Sequence, residues 1–176
     1  MLERQPASGL SLRGRTVPAF IAIEGPIGVG KTTLARKIAE TFEYDLLLEE
    51  AEMNPFLERF YQNREQTALA TQLFFLFQRV QKITDIKQRD MFESTRVTDF
   101  ILEKDPLFAR VNLEPAEYAL YDKVYEKMHV EAPTPDLVIY LQANPERLLE
   151  RIGKRGIDAE QSIDRSYLEQ LNEVYS

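Results

Sequence analysis

The run Gly25-Pro26-Ile27-Gly28-Val29-Gly30-Lys31-Thr32 fits the pattern G-x-x-x-x-G-K-[ST] in full. Such a run does phosphate chemistry. Its glycines let backbone amides converge on phosphate oxygens, and the helix that starts at its end adds partial positive charge. Lys31 is placed to reach the β- and γ-phosphates of ATP, the Thr32 hydroxyl to ligate Mg²⁺, and Thr33 completes the donor-binding stretch. The loop leaves the acceptor open, because GTPases, motor ATPases and small-molecule kinases all use it. The chain contains neither the Asn-Lys-x-Asp sequence that reads guanine nor the Leu-Ser-Gly-Gly signature of transporter ATPases, which leaves kinases of small molecules.

A second chemical feature lies late in the chain. Arg147, Arg151, Lys154 and Arg155 surround one acid, Glu150, a local charge of +3 in a protein whose net charge is −7. The three arginines are four residues apart, so a continuous helix points them the same way, and Gly153 and Gly156 allow the segment to move. The overall acidity excludes a nonspecific grip on a nucleic acid polymer, so any polyanionic ligand must be held locally. With no cysteine and a single histidine, His129, disulfides, thiolate zinc sites, cysteine nucleophiles and histidine-rich metal sites are excluded. The longest apolar run, Leu73 to Phe77, is far short of the ~18 residues of a membrane span. No signal-peptide core precedes the first strand, which reads as a cytoplasmic protein.

The elements that must position these residues follow from periodicity. Residues 1–18 read as a loose N-terminal arm, and residues 19–176 as one domain. Strands are predicted at Ala19–Glu24, Leu46–Leu48, Arg96–Phe100 and Leu137–Leu141. Helices are predicted at Lys31–Phe42, Phe56–Tyr61, about Thr67–Asp90, through Phe108, Glu114–Met128, about Asn144–Ile152 and Asp164–Tyr175. Short buried strands alternating with helices imply an α/β fold with three layers, a central parallel sheet flanked by helices on both faces. Asp99 then stands at the C-terminal end of a strand, where parallel sheets place their ligands.

From Phe20 onward the sequence resembles the deoxynucleoside kinase family. The resemblance rests on the phosphate loop, Glu49, Asn54-Pro55-Phe56-Leu57, Phe60-Tyr61, and Gln72 and Arg79 seven residues apart. It implies a P-loop kinase domain with ATP and Mg²⁺ and a deoxynucleoside acceptor. Glu49 falls on the carboxylate near the 5′-hydroxyl and the metal, with Glu50 as the alternative, and Tyr61 falls on the residue bonding the sugar 3′-hydroxyl. Gln72 interrupts an apolar helix face with an amide able to pair with a base edge; Arg79 is the second polar contact there, and Asp105 the base-reading acid. Phe75 or Phe108 would supply a stacking surface.

Asp99 matches the general base, with Glu93 an alternative by spacing alone. Phe100 replaces an arginine that commonly follows that acid, a charge Lys104 could supply. Residues 151–163 resemble a lid in which Arg151 and Arg155 close on the transferring phosphoryl group and Glu160 contacts the sugar, while Ile157 replaces a third arginine. The resemblance further implies a homodimer and a purine substrate, through its bacterial branch. Family members continue into a last strand and a loop near the donor adenine, whereas this chain stops at Ser176. The expectation is an unpaired fourth strand, with lower stability or weaker ATP binding. The rival readings are a nucleoside monophosphate kinase, with Arg59 and Arg64 as acceptor-phosphate ligands, and a nucleotide-binding module without turnover.

Overall fold

The computed structural model describes residues 17–88, 94–128 and 133–175. The expected arm up to residue 16, Glu93, His129 and Ser176 lie outside the described residues. Four strands, β1 (Phe20–Glu24), β2 (Asp45–Leu47), β3 (Arg96–Thr98) and β4 (Leu137–Tyr140), form one sheet in the order β2-β3-β1-β4. Every pairing is parallel. Parallel neighbours cannot be joined by hairpins, so helices fill the connections. They are α1 (Lys31–Phe42), α2 (Leu57–Gln62), α3 (Arg64–Gln88), α4 (Asp105–Asn112), α5 (Pro115–Met128), α6 (Pro145–Arg155) and α7 (Arg165–Val174).

Alternation along the strands divides the core in two. Ile21, Ile23 and Val97 pack with Ala35, Leu34 and Ile38 of α1 on one face. The larger cluster joins Phe60, Leu76, Tyr121, Leu148 and Tyr167 from α2, α3, α5, α6 and α7. Ala22 and Ile23 of β1 are fully buried because that strand has a neighbour on each side.

Several expectations are corrected. Strand β3 ends at Thr98 rather than Phe100; the Thr98 hydroxyl donates to the Phe100 carbonyl at 2.8 Å, turning the chain out of the sheet and leaving Asp99 just past its end. Strand β4 lies at the edge of the sheet, as the expected unpaired fourth strand does, but it is not the buried strand that the apolar run suggests: Leu137, Val138 and Tyr140 are exposed. The long helix begins at Arg64, a polar first turn that periodicity alone misses. Helix α6 runs on to Arg155, capped at its start by the Asn144 side chain, which accepts from the Arg147 amide at 3.0 Å, and ended by Gly156 at φ 67°. Among the described residues no helix is long and apolar enough to cross a membrane.

Helix α1 ends at Glu43, whose φ of 56° lies in the left-handed region while its amide donates to the Ala39 carbonyl. Glycine adopts that conformation without a Cβ penalty. Glu43→Gly is therefore expected to stabilise the fold by about 0.5–1 kcal/mol, read as a higher urea midpoint at unchanged slope.

Candidate active site

The C-terminal ends of β1, β2 and β3 deliver Glu24, Glu49 and Asp99 to one edge of the sheet, over a cavity of about 570 Å³. The phosphate loop forms one side of it. Gly25 sits at φ 145°, where a Cβ would lie 2.3 Å from the Leu141 carbonyl oxygen, and Gly28 at φ 80°, where a Cβ would lie 2.8 Å from the Ile152 side chain. Neither position admits a side chain. Gly30, at φ 105°, has nothing within 4 Å of the space a Cβ would take, so the mouth of the loop at the start of α1 is open.

Lys31 donates to the carbonyls of Gly25 at 2.7 Å and Pro26 at 3.1 Å. Burial, then the neighbouring Lys104, lower its pKa to about 8 against the pull of Glu24, Glu49 and Asp99. The Thr32 hydroxyl donates to Asp99 Oδ2 at 2.6 Å, and the Glu49 amide donates to Asp99 Oδ1 at 2.8 Å. A hydroxyl and a carboxylate meeting at the loop form an all-oxygen set that fits Mg²⁺, which is usually held by one or two carboxylates together with substrate phosphates.

The opposite side is a buried ion network. Arg79 of α3 donates through Nε to Glu49 Oε1 at 2.6 Å and through Nη1 to Asp105 Oδ2. Gln72 Nε2 donates to Asp105 Oδ1 at 2.9 Å and to the Asp105 carbonyl at 3.1 Å, and the Tyr121 hydroxyl also donates to Oδ1. Lys104 Nζ lies 3.3 Å from Glu49 Oε2 and 3.9 Å from Glu24 Oε2. Burial alone would raise the Glu49 carboxyl, but Arg79, Lys104 and Lys31 outweigh it and hold the pKa at about 2. Glu49 is thus a carboxylate throughout the neutral range. Burial, reinforced by Tyr167 and Glu160, pushes Tyr61 up, so its hydroxyl stays neutral.

The cavity wall includes Ile27, Gly28, Lys31, Thr32, Glu49, Tyr61, Gln72, Phe75, Arg79, Asp99, Phe108, Arg155 and Glu160, so most of the expected site residues meet in one place. Asp105 differs: fully buried, it stands one layer behind Gln72 and Arg79 and fixes them. Lys104 is buried between Glu24 and Glu49, and Phe100 belongs to the core. Of the basic segment, Arg151 donates to the Val29 carbonyl at 2.7 Å and Arg155 pairs with Glu160, whereas Arg147 is exposed and paired with Glu150. Glu24 was not anticipated. Its one signal is an acid ending an apolar strand immediately before the loop.

A phosphate loop facing an acid-lined cavity defines a P-loop kinase of small molecules. The family model for deoxynucleoside kinases matches residues 21–176. Deoxyguanosine kinase of Bacillus subtilis is 38% identical over 157 residues, covering 89% of this chain and 76% of the relative. Deoxyadenosine/deoxycytidine kinase of the same organism is 32% identical over 167 residues, covering 89% and 75%. The structure of deoxyadenosine kinase from M. mycoides with bound dATP superposes with a TM-score of 0.78 at 30% identity, over 89% of this chain and 81% of that one. The chain belongs to the deoxynucleoside kinase family.

The Lys31 environment predicts a proton linkage. Phosphates replacing two carbonyls favour the ammonium, so MgATP binding above pH 8 takes up a proton and weakens as pH rises further. Calorimetry in buffers of different ionisation enthalpy should show uptake at pH 8.5 of about three quarters of a proton per ATP bound, and close to none at pH 6.5.

Proposed function

We propose that this protein transfers the γ-phosphoryl group of ATP to the 5′-hydroxyl of a deoxyribonucleoside, with purines preferred, and so serves nucleotide salvage. The observation that carries the reading is a single cavity with the phosphate loop at one end and the Gln72–Arg79 pair at the other. The relative named for deoxyguanosine alone supports the purine preference, and the second is named for both deoxyadenosine and the pyrimidine deoxycytidine. The match beginning at residue 21 supports residues 19–176 as one kinase domain.

The base would lie against Gln72, whose nitrogen is tied to Asp105 and whose oxygen is thereby turned away from that acid as an acceptor. Phe75 and Phe108 line the cavity as stacking surfaces, and Arg79 lies with its guanidinium 5.2 Å from the Phe75 ring centre. Tyr61 and Glu160 line the part that would hold the sugar. In the reaction the 5′-oxygen forms its bond to the γ-phosphorus as the bond to the β,γ-bridging oxygen breaks and ADP leaves; the hydroxyl proton passes to a carboxylate.

Two carboxylates compete for that proton. Asp99 accepts the loop threonine's hydroxyl, the arrangement by which P-loop proteins hold their metal, so Thr32 and Asp99 are the residues that would hold Mg²⁺. When bound, Mg²⁺ neutralises charge on the β- and γ-phosphate oxygens. Glu49 lies on the acceptor side and is ionised, so we assign it the proton, in place of the sequence-based assignment to Asp99. Its weak basicity matters little, since in a loose transition state the proton leaves late and the carboxylate acts mainly by orienting the hydroxyl. Arg151 and Arg155 would close on the phosphoryl group and exclude water.

The two arginines that the monophosphate-kinase reading would use lie off the cavity. Arg64 pairs with Asp164 at 2.9 Å and lies over the Tyr167 ring, Arg59 lies over Phe56, and neither lines the cavity. Exposed Phe77 of α3 and Leu120 of α5 support a homodimer through those helices.

With MgATP, turnover is expected for deoxyguanosine or deoxyadenosine and for none of the deoxynucleoside monophosphates; turnover of monophosphates alone would overturn the reading. Glu49→Gln and Asp99→Asn should each lower kcat by about 10²-fold or more. Only Asp99→Asn should raise the Mg²⁺ concentration needed for half-maximal rate.

A further inference from the structure

Tyr175 follows directly on α7, yet its hydroxyl donates to Glu24 Oε1 at 2.7 Å, across 151 residues of chain. The same oxygen accepts the Gly25 amide at 3.2 Å, the first amide of the phosphate loop. Glu24 is 4% exposed, and its second oxygen, Oε2, is buried without a hydrogen-bond partner, 3.9 Å from Lys104 Nζ. The Tyr175 ring is stacked on Tyr140 of β4, centroids 5.8 Å apart, and meets Phe108 of the cavity wall edge-on at 6.0 Å. One side chain thus touches the edge strand, the acceptor wall and the acid beneath the donor loop.

We infer that Tyr175 and Glu24 form a positioning pair that holds the first turn of the phosphate loop in register with the acceptor cavity. Gly25 is tied at both ends: its carbonyl accepts from Lys31 at 2.7 Å and its amide donates to Glu24. When Lys31 swings to a bound phosphate it releases the carbonyl, and the amide bond to Glu24 is the tie that remains. Glu24 can keep that bond only while its carboxylate is oriented. One oxygen has no other partner, so the Tyr175 hydroxyl supplies the orientation. Burial, then Glu24 itself, pushes the Tyr175 hydroxyl far above its ordinary pKa, so it remains a donor at every working pH. Tyr175 touches no reacting atom and acts through Glu24.

The inference takes from the proposed function only that nucleotide occupies the loop, and its deoxyguanosine control takes the acceptor as well. Tyr175→Phe removes the hydroxyl and keeps both ring contacts; Glu24→Gln keeps the shape and removes the charge. Affinity for MgATP and for deoxyguanosine is measured by calorimetry, and amide exchange by mass spectrometry. Tyr175→Phe is expected to weaken MgATP binding roughly tenfold, about the worth of one hydrogen bond to a buried carboxylate. It should also speed exchange in the 25–32 loop, leave deoxyguanosine affinity within about twofold, and add little in a Glu24→Gln background. Unchanged MgATP affinity with unchanged loop exchange would overturn the inference, as would a parallel loss of both affinities with faster exchange throughout α3–α5. Loop exchange is read without ligand or turnover, so a wild-type chain that phosphorylates nothing refutes the proposed function and leaves this test intact.

Discussion

The site depends on a chain of buried charges, Lys104 to Glu49 to Arg79 to Asp105, that runs between the sheet and helices α3 and α4. Removing charges from water is costly, and mutual attraction repays the cost only where geometry and further hydrogen bonds satisfy each group. Here they do so. Asp105, with no exposure, takes Gln72, Arg79 and Tyr121; Arg79 divides its donors between two acids; Glu49 is flanked by a guanidinium and an ammonium. Apolar residues of similar size would pack such an interior at less cost, so the network's value lies in the site, where it fixes a carboxylate and an amide with little freedom to reorient.

The fold makes that network possible. Parallel strands end together at one edge, so acids that follow β1, β2 and β3 converge although they are far apart in sequence. Helix α3 lines the cavity and places Gln72 and Arg79 on nearly one face, two turns apart. Helix α6 covers the phosphate loop, with Ile152 against Gly28 and Arg151 on the Val29 carbonyl. Donor and acceptor ends are therefore joined by packed elements before any ligand enters, which is the form of pre-organisation a transfer dominated by positioning requires.

The phosphate loop was legible in the sequence because its requirements are local: glycines at positive φ, then Lys31 and Thr32 at the start of a helix. Gln72 was legible as an amide breaking an apolar face. What could not be read was the partner of each buried group. The sequence offers Asp105 as a base-reading acid but not its bonds to Gln72, Arg79 and Tyr121, and offers Lys104 as a spare charge at the cavity wall but not its place between Glu24 and Glu49. The proposed preference for Glu49 over Asp99 as proton acceptor rests on a contact, Thr32 to Asp99, between residues 67 positions apart. The apolar run of β4 gives no sign of its exposure, which only the family resemblance, by leaving the fourth strand unpaired, implied, and the Tyr175–Glu24 bond leaves no local signature.

The central claim is that Glu49 is held ionised by Arg79 and Lys104. Its folded pKa of about 2 lies below the ordinary value of 4.5, so the interaction contributes stability above about pH 4.5, lost as pH falls toward 2. The most direct test follows the Glu49 carboxyl carbon by carbon-13 NMR from pH 7 to 3.5 in the free protein, assigned with Glu49→Gln. No titration across that range is expected; a midpoint near 4.5 or above would contradict the account.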